Sequence, residues 1–107
     1  MTNIELVKLL CKIINQKFES NPEMKQFYPN SPCSNKLRAE NLITYVKDRP
    51  GHDRRYAVDI SKISAELGFQ SRNSFISGLN KTVDWYLENR QWWMSILDGT
   101  YRDDNLI

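Results

Sequence analysis

Four glycines, four prolines, two cysteines and one histidine are all that 107 residues hold of these types. Each scarcity removes a class of function. Gly51, Gly68, Gly78 and Gly99 are too dispersed to form a G-x-G-x-x-G dinucleotide loop or a P-loop. Cys11 and Cys33 have no histidine near them, and a structural zinc site needs roughly four closely spaced ligands. Both cysteines read as free thiols, Cys11 on a helix and Cys33 in a loop. One disulfide is open by arithmetic, but nothing points to an oxidising compartment. No apolar run approaches the roughly 20 residues of a membrane span. The N-terminus lacks the basic-then-apolar order of a signal peptide. From these absences a cytoplasmic chain without a metal or membrane partner is expected. An excess of one charge is missing too. Fifteen Lys and Arg stand against 13 Asp and Glu, for a net charge of +2. That falls short of the basic signature of a nucleic-acid binder.

Catalytic constellations are absent as well. No tyrosine has a lysine four residues on, and there is no G-x-S-x-G elbow and no Cys–His pair at a plausible site. The adjacency of His52 and Asp53 implies no catalytic dyad.

What remains is a chain of ordinary globular composition, 40% hydrophobic and 26% charged, which fits one domain over 1–107. It shows no internal repeat. Thr2-Asn3-Ile4-Glu5 has the form of a capping box. Ile4, Val7, Cys11, Ile14 and Phe18 then recur at helical spacing, which predicts an amphipathic helix from about Ile4 to Phe18. Between residues 19 and 41 the pattern collapses. Pro22, Pro29 and Pro32 with several Asn and Ser predict a long polar loop, either a surface insertion or a functional segment. Leu42–Val46 and Tyr56–Val58 are β-branched and aromatic, and predict two short strands. Asp59 reads as the N-cap of a helix over Ile60–Leu67, with Gly68 at C′. Asn73 or Ser74 caps a long helix that keeps its spacing through Phe75, Leu79, Val83, Tyr86, Arg90 and Trp93 to Asp98-Gly99. The tail, 100–107, is expected to fray. The predicted class is α+β, a small and mainly helical module with two short strands.

The stretch from Lys47 to Arg55 carries the most chemistry. Four cations and one imidazole fall within nine residues, and Pro50-Gly51 turns the chain in their midst. A basic turn suits a phosphate or pyrophosphate: Arg offers a planar fork, and His52 a further hydrogen bond. The alternative is a solvated hairpin whose arginines pair with Asp48, Asp53 and Asp59. Trp85, Tyr86, Trp92 and Trp93 raise a second question. They form either a stacking surface for bases or, as their spacing favours, core and interface packing.

The run from Asp48 to Asp59, D-R-P-G-H-D-R-R-Y-A-V-D, resembles the dTDP-glucose 4,6-dehydratases of the extended short-chain dehydrogenase group. The likeness continues through Ser61-Lys62-Ile63, Glu66–Phe69, Phe75–Leu87 and Thr2–Val7. The loop over 19–41 matches no motif of that group. The resemblance implies the C-terminal cap region of such an enzyme, without the Rossmann domain that holds the NAD loop, the Tyr-x-x-x-Lys pair and the dehydrating acid. It implies a natural truncation, a split gene or an excised piece. The group oxidises the sugar at C4 through NAD, eliminates water across C5–C6 and returns the hydride. By resemblance, Arg49 and His52 contact the nucleotide diphosphate and Asn3 the phosphate side of the substrate. Arg54, Arg55 and Lys47 stand behind them. No catalytic residue, cofactor-binding residue or metal ligand is expected in this chain, and NAD belongs to the parent enzyme. The expected partner is a dTDP-sugar, bound weakly. A Rossmann-bearing chain or a second copy, met through an exposed apolar face, is the other, as for a non-catalytic interaction module.

Overall fold

A computed structural model describes residues 1–104. The chain divides into two compact units, Met1–Arg72 and Asn73–Ile107. At 61% helix, with no strand among the described residues, the protein is all-helical rather than α+β.

The first unit is built on α1, Asn3–Ser20. Its capping box forms as expected. The Glu5 N–H donates to Thr2 Oγ1 at 3.3 Å, and the Thr2 N–H donates to Glu5 Oε2 at 2.6 Å. α1 ends where the Asn21 N–H reaches the Lys17 carbonyl, one residue before Pro22. The buried face is Cys11, Ile13, Asn15 and Phe18, so Ile4, Val7 and Ile14 of the expected stripe lie outside it. Against this face fold short turns that occupy the stretch expected as loop: α2, Met24–Phe27, and two 3₁₀ turns, Pro32–Asn35 and Ala39–Leu42. Pro32 starts the first 3₁₀ turn, where its fixed φ suits a helical start, and Ser31 caps it. Cys33 therefore sits in a 3₁₀ turn rather than an open loop.

The two predicted strands do not form. Leu42 closes a 3₁₀ turn, and residues 43–49 and 55–60 run without turn or ladder. Val46 is 83% exposed and Val58 88%. The reason is physical: a strand is stabilised by its ladder and by a covered face, and a two-stranded ribbon with neither is marginal. β-branched content marks the capacity for a strand but does not supply its neighbour. The next helix, α3, spans Ser61–Leu67. Asp59 Oδ1 accepts the Ser61 N–H at 2.9 Å, although the formal N-cap position falls on Ile60. Gly68 ends α3 in the left-handed conformation, φ 65°.

In the second unit, the long helix is broken in two: α4, Phe75–Glu88, and α5, Arg90–Leu97. Ser74 caps α4 through the Ser77 N–H. At the break the Asn89 side-chain amide donates to the Trp85 carbonyl, and the Trp93 indole N–H donates to the Tyr86 carbonyl, both at 2.8 Å. The Asn89 N–H still donates to the Trp85 carbonyl at 2.9 Å, so it is at Tyr86 that a side chain takes the acceptor a continuous helix would use. A last turn, α6, covers Thr100–Asp104, where fraying was expected. The remainder of that predicted tail, 105–107, lies outside the described residues.

Candidate functional site

The basic turn lies in the first unit. Its backbone closes where the His52 N–H reaches the Arg49 carbonyl at 3.4 Å, with Gly51 at φ 74°. That left-handed position is one glycine adopts without strain. Asp48 organises the turn. Its Oδ1 accepts the Arg49 N–H at 2.9 Å and meets His52 Nδ1 at 2.6 Å. The His52 bond is the main reason the Asp48 carboxyl titrates below the usual range. His52 also meets the Tyr56 ring edge-on, with ring centroids 6.4 Å apart. With Nδ1 committed to Asp48, Nε2 is the atom left to meet a ligand, and it donates when the ring is protonated.

Lys47, Arg49, Arg54 and Arg55 are all exposed. Among the described residues no ion pair joins these arginines to Asp48, Asp53 or Asp59. Asp48 is held by His52, and Asp59 by the Ser61 N–H. The arrangement is therefore neither a hairpin nor a set of Arg–Asp pairs. It is a turn with an oriented imidazole and guanidinium groups that have no carboxylate partner among the described residues. Asn3 opens α1 and is exposed, and no hydrogen bond links it to the turn among the described residues. The structure brings Arg49 and His52 together and leaves Asn3 apart from their bonding network. The tryptophans belong to the second unit. Trp85 meets both Tyr86 and Trp92 edge to face, with centroids 5.2 Å apart in each pair.

Sequence reasoning missed Asn15. It is only 6% exposed. Its Oδ1 accepts the Ala39 N–H at 2.9 Å and the Cys33 thiol at 3.2 Å, and its Nδ2 donates to Glu40 Oε2 at 2.8 Å. One amide thus ties α1 to both 3₁₀ turns. Beside it lies a cleft of about 190 Å³, walled by Phe18, Lys25, Leu37 and Arg38 among others. The signal was a polar residue inside the apolar register of α1.

No family model matches the chain, and no solved structure matches it. Curated proteins do. Over 104 residues it is 45% identical to a dTDP-glucose 4,6-dehydratase of Neisseria meningitidis serogroup B, covering 97% of this chain and 26% of the relative. An Escherichia coli dTDP-glucose 4,6-dehydratase is 39% identical with the same coverage. One from Haemophilus influenzae is 46% identical over 88 residues, covering 82% of this chain and 23% of its own length. Nearly the whole chain is thus similar to one part of the dTDP-glucose 4,6-dehydratases. It spans about a quarter of the length of the curated relatives it matches. The NAD that the dehydratase resemblance implies does not fit this chain's own residues. Gly51, Gly68 and Gly99 serve three separate turns at positive φ, and Gly78 lies inside α4. No glycine-rich loop opens any helix among the described residues, so no dehydratase step through NAD is assigned to this chain. No described helix is long and apolar enough to cross a membrane.

Proposed function

We propose that this chain supplies the nucleotide-diphosphate contacts of a dTDP-glucose 4,6-dehydratase, as the C-terminal cap portion of such an enzyme. The observation that carries the reading is the state of the basic turn. Asp48 is engaged by His52, and the arginine side chains keep no carboxylate partner among the described residues. Arg49 gives a bidentate fork for a diphosphate, and His52 adds a charge-assisted bond from Nε2. Arg54, Arg55 and Lys47 raise the local positive potential behind them. Asn3 is the proposed contact on the phosphate side of the substrate. A cytoplasmic setting follows from the same resemblance.

Two charge-assisted bonds are worth roughly 3–6 kcal/mol together, before the cost of association. Since about −4.1 kcal/mol corresponds to a millimolar Kd, dTDP should bind this chain at millimolar strength or weaker. The test is an amide-shift titration of the labelled chain with dTDP, up to roughly ten millimolar given that estimate. Shifts centred on Arg49, Gly51 and His52, lost in Arg49→Ala, are expected. A folded spectrum that does not move would overturn the reading. No dehydration is expected of this chain alone with added NAD and dTDP-glucose, and clear product formation would contradict that. The second reading, an interaction module, is favoured by the many apolar side chains left exposed, Tyr45, Val46, Tyr56 and Val58 among them.

A further inference from the structure

We infer that phosphate binding at His52 is coupled to uptake of a proton, because Asp48 holds the imidazole so that the one proton it gains or loses sits on Nε2, the atom left for a ligand. The inference rests on the diphosphate reading of the turn and adds the regulation of that site. Asp48 Oδ1 accepts the Arg49 N–H at 2.9 Å, which ties the carboxylate to the backbone of the turn. The same oxygen meets His52 Nδ1 at 2.6 Å. The Tyr56 ring stands edge-on to the imidazole, with centroids 6.4 Å apart. The ring is thus held on two sides, and its Nε2 has no partner among the described residues. Arg49, Asp53 and Arg54 flank it along the turn, but only Asp48 forms an ion pair with it among the described residues.

An ionised carboxylate only accepts hydrogen bonds. The bond from His52 keeps Asp48 ionised to lower pH than an ordinary aspartate. Nδ1 is therefore the donor whether the ring is charged or neutral, and the proton that leaves as pH rises is the one on Nε2. A charged ring donates from Nε2 to a phosphate oxygen. A neutral ring in this tautomer turns a lone pair toward that oxygen, and two acceptors repel. The contact exists only with the proton. A histidine without the carboxylate is not so restricted, since its neutral ring can carry the hydrogen on Nε2 and still donate. Asp48 is thus a positioning residue that acts on the ligand through His52. An arginine fork has no such switch, so the pH dependence belongs to the imidazole.

Two measurements on the chain test this. Side-chain nitrogen NMR shifts of His52 at about pH 8, where an imidazole is neutral, read which nitrogen carries the hydrogen with no ligand present. Nδ1–H is expected, and transfer of hydrogen to Nε2 in Asp48→Ala. Titration with dTDP-glucose is then compared at about pH 5 and about pH 8. Both phosphates of that ligand stay fully ionised across this range, so the ligand itself does not titrate. Affinity is expected to fall about tenfold at the higher pH, the worth of one charge-assisted hydrogen bond. Asp48→Ala should flatten that profile, whereas a role confined to holding the turn would lower affinity by the same factor at both pH values. A neutral ring with its hydrogen on Nε2 in the unaltered chain would overturn the proposal, whatever the chain binds. So would dTDP-glucose binding of equal strength at both pH values, or a profile that Asp48→Ala leaves as steep. Absence of binding at both would overturn the diphosphate reading and the coupling with it, an outcome distinct from binding that ignores pH.

Discussion

At the scale of single residues, Asn15 and Asp48 do similar work in different settings. Each uses one small polar side chain to hold a piece of irregular backbone. Asn15 does so under burial, and that raises the stakes. Truncating it leaves the buried Ala39 N–H without its acceptor, and an unsatisfied buried donor costs about 1–3 kcal/mol. Asn15→Ala should therefore lower unfolding stability by about 2 kcal/mol in equilibrium urea titrations, on that scale. Glu40 is the third member of the network. The Asn15 amide is the largest cause of its carboxyl titrating below the usual range. A carboxyl depressed in the folded state contributes stability that is present above its unfolded pKa and is lost as pH falls through the folded value. Urea midpoints should thus fall below about pH 4.3, the ordinary glutamate value, and Glu40→Gln should flatten part of that slope. A slope unchanged by Glu40→Gln would show that the bond to Asn15 adds nothing. Asp48 works in the open, where its bond to His52 orients an imidazole at the surface.

At the scale of elements, most helix boundaries were legible. The capping box of α1, the Ser74 cap of α4 and the left-handed Gly68 each follow from local chemistry, and local chemistry is what a short window of sequence encodes. Gly68→Ala would force a Cβ into φ 65° with nothing around it to clash. The penalty is conformational alone, about 1 kcal/mol, visible as a matching loss in urea unfolding. The break at Asn89 was not legible, because apolar spacing runs straight across it. It depends on an indole N–H seven residues from its acceptor, a contact that periodicity does not encode. Trp93→Phe should cost about 1 kcal/mol, the usual worth of one hydrogen bond. The two absent strands failed for the opposite reason. Their residues are good strand formers, but a strand is a relation between segments, and its second member is not in the first unit. The turn over 47–55 was legible from Pro-Gly and its charges. That Asp48 would bond to His52 rather than to an arginine was not, since sequence places both choices within reach.

At the scale of the whole molecule, the buried apolar set is short: Cys11, Ile13, Phe18, Ala39 and Val83. No large side chain is fully buried among the described residues. A chain with this little core is marginal alone and gains from any partner that covers its surface.

The edge-to-face contact of Trp85 with Trp92 has an optical consequence. Two indoles held at 5.2 Å with planes 76° apart couple their excited states. That coupling writes a paired positive and negative band onto the far-ultraviolet circular dichroism, on top of the helical signal. Helix content read from the spectrum alone will therefore be misstated for this protein. Subtracting the spectrum of Trp92→Phe should isolate the couplet, and its loss on heating reports the tertiary contact between α4 and α5 apart from the helices themselves.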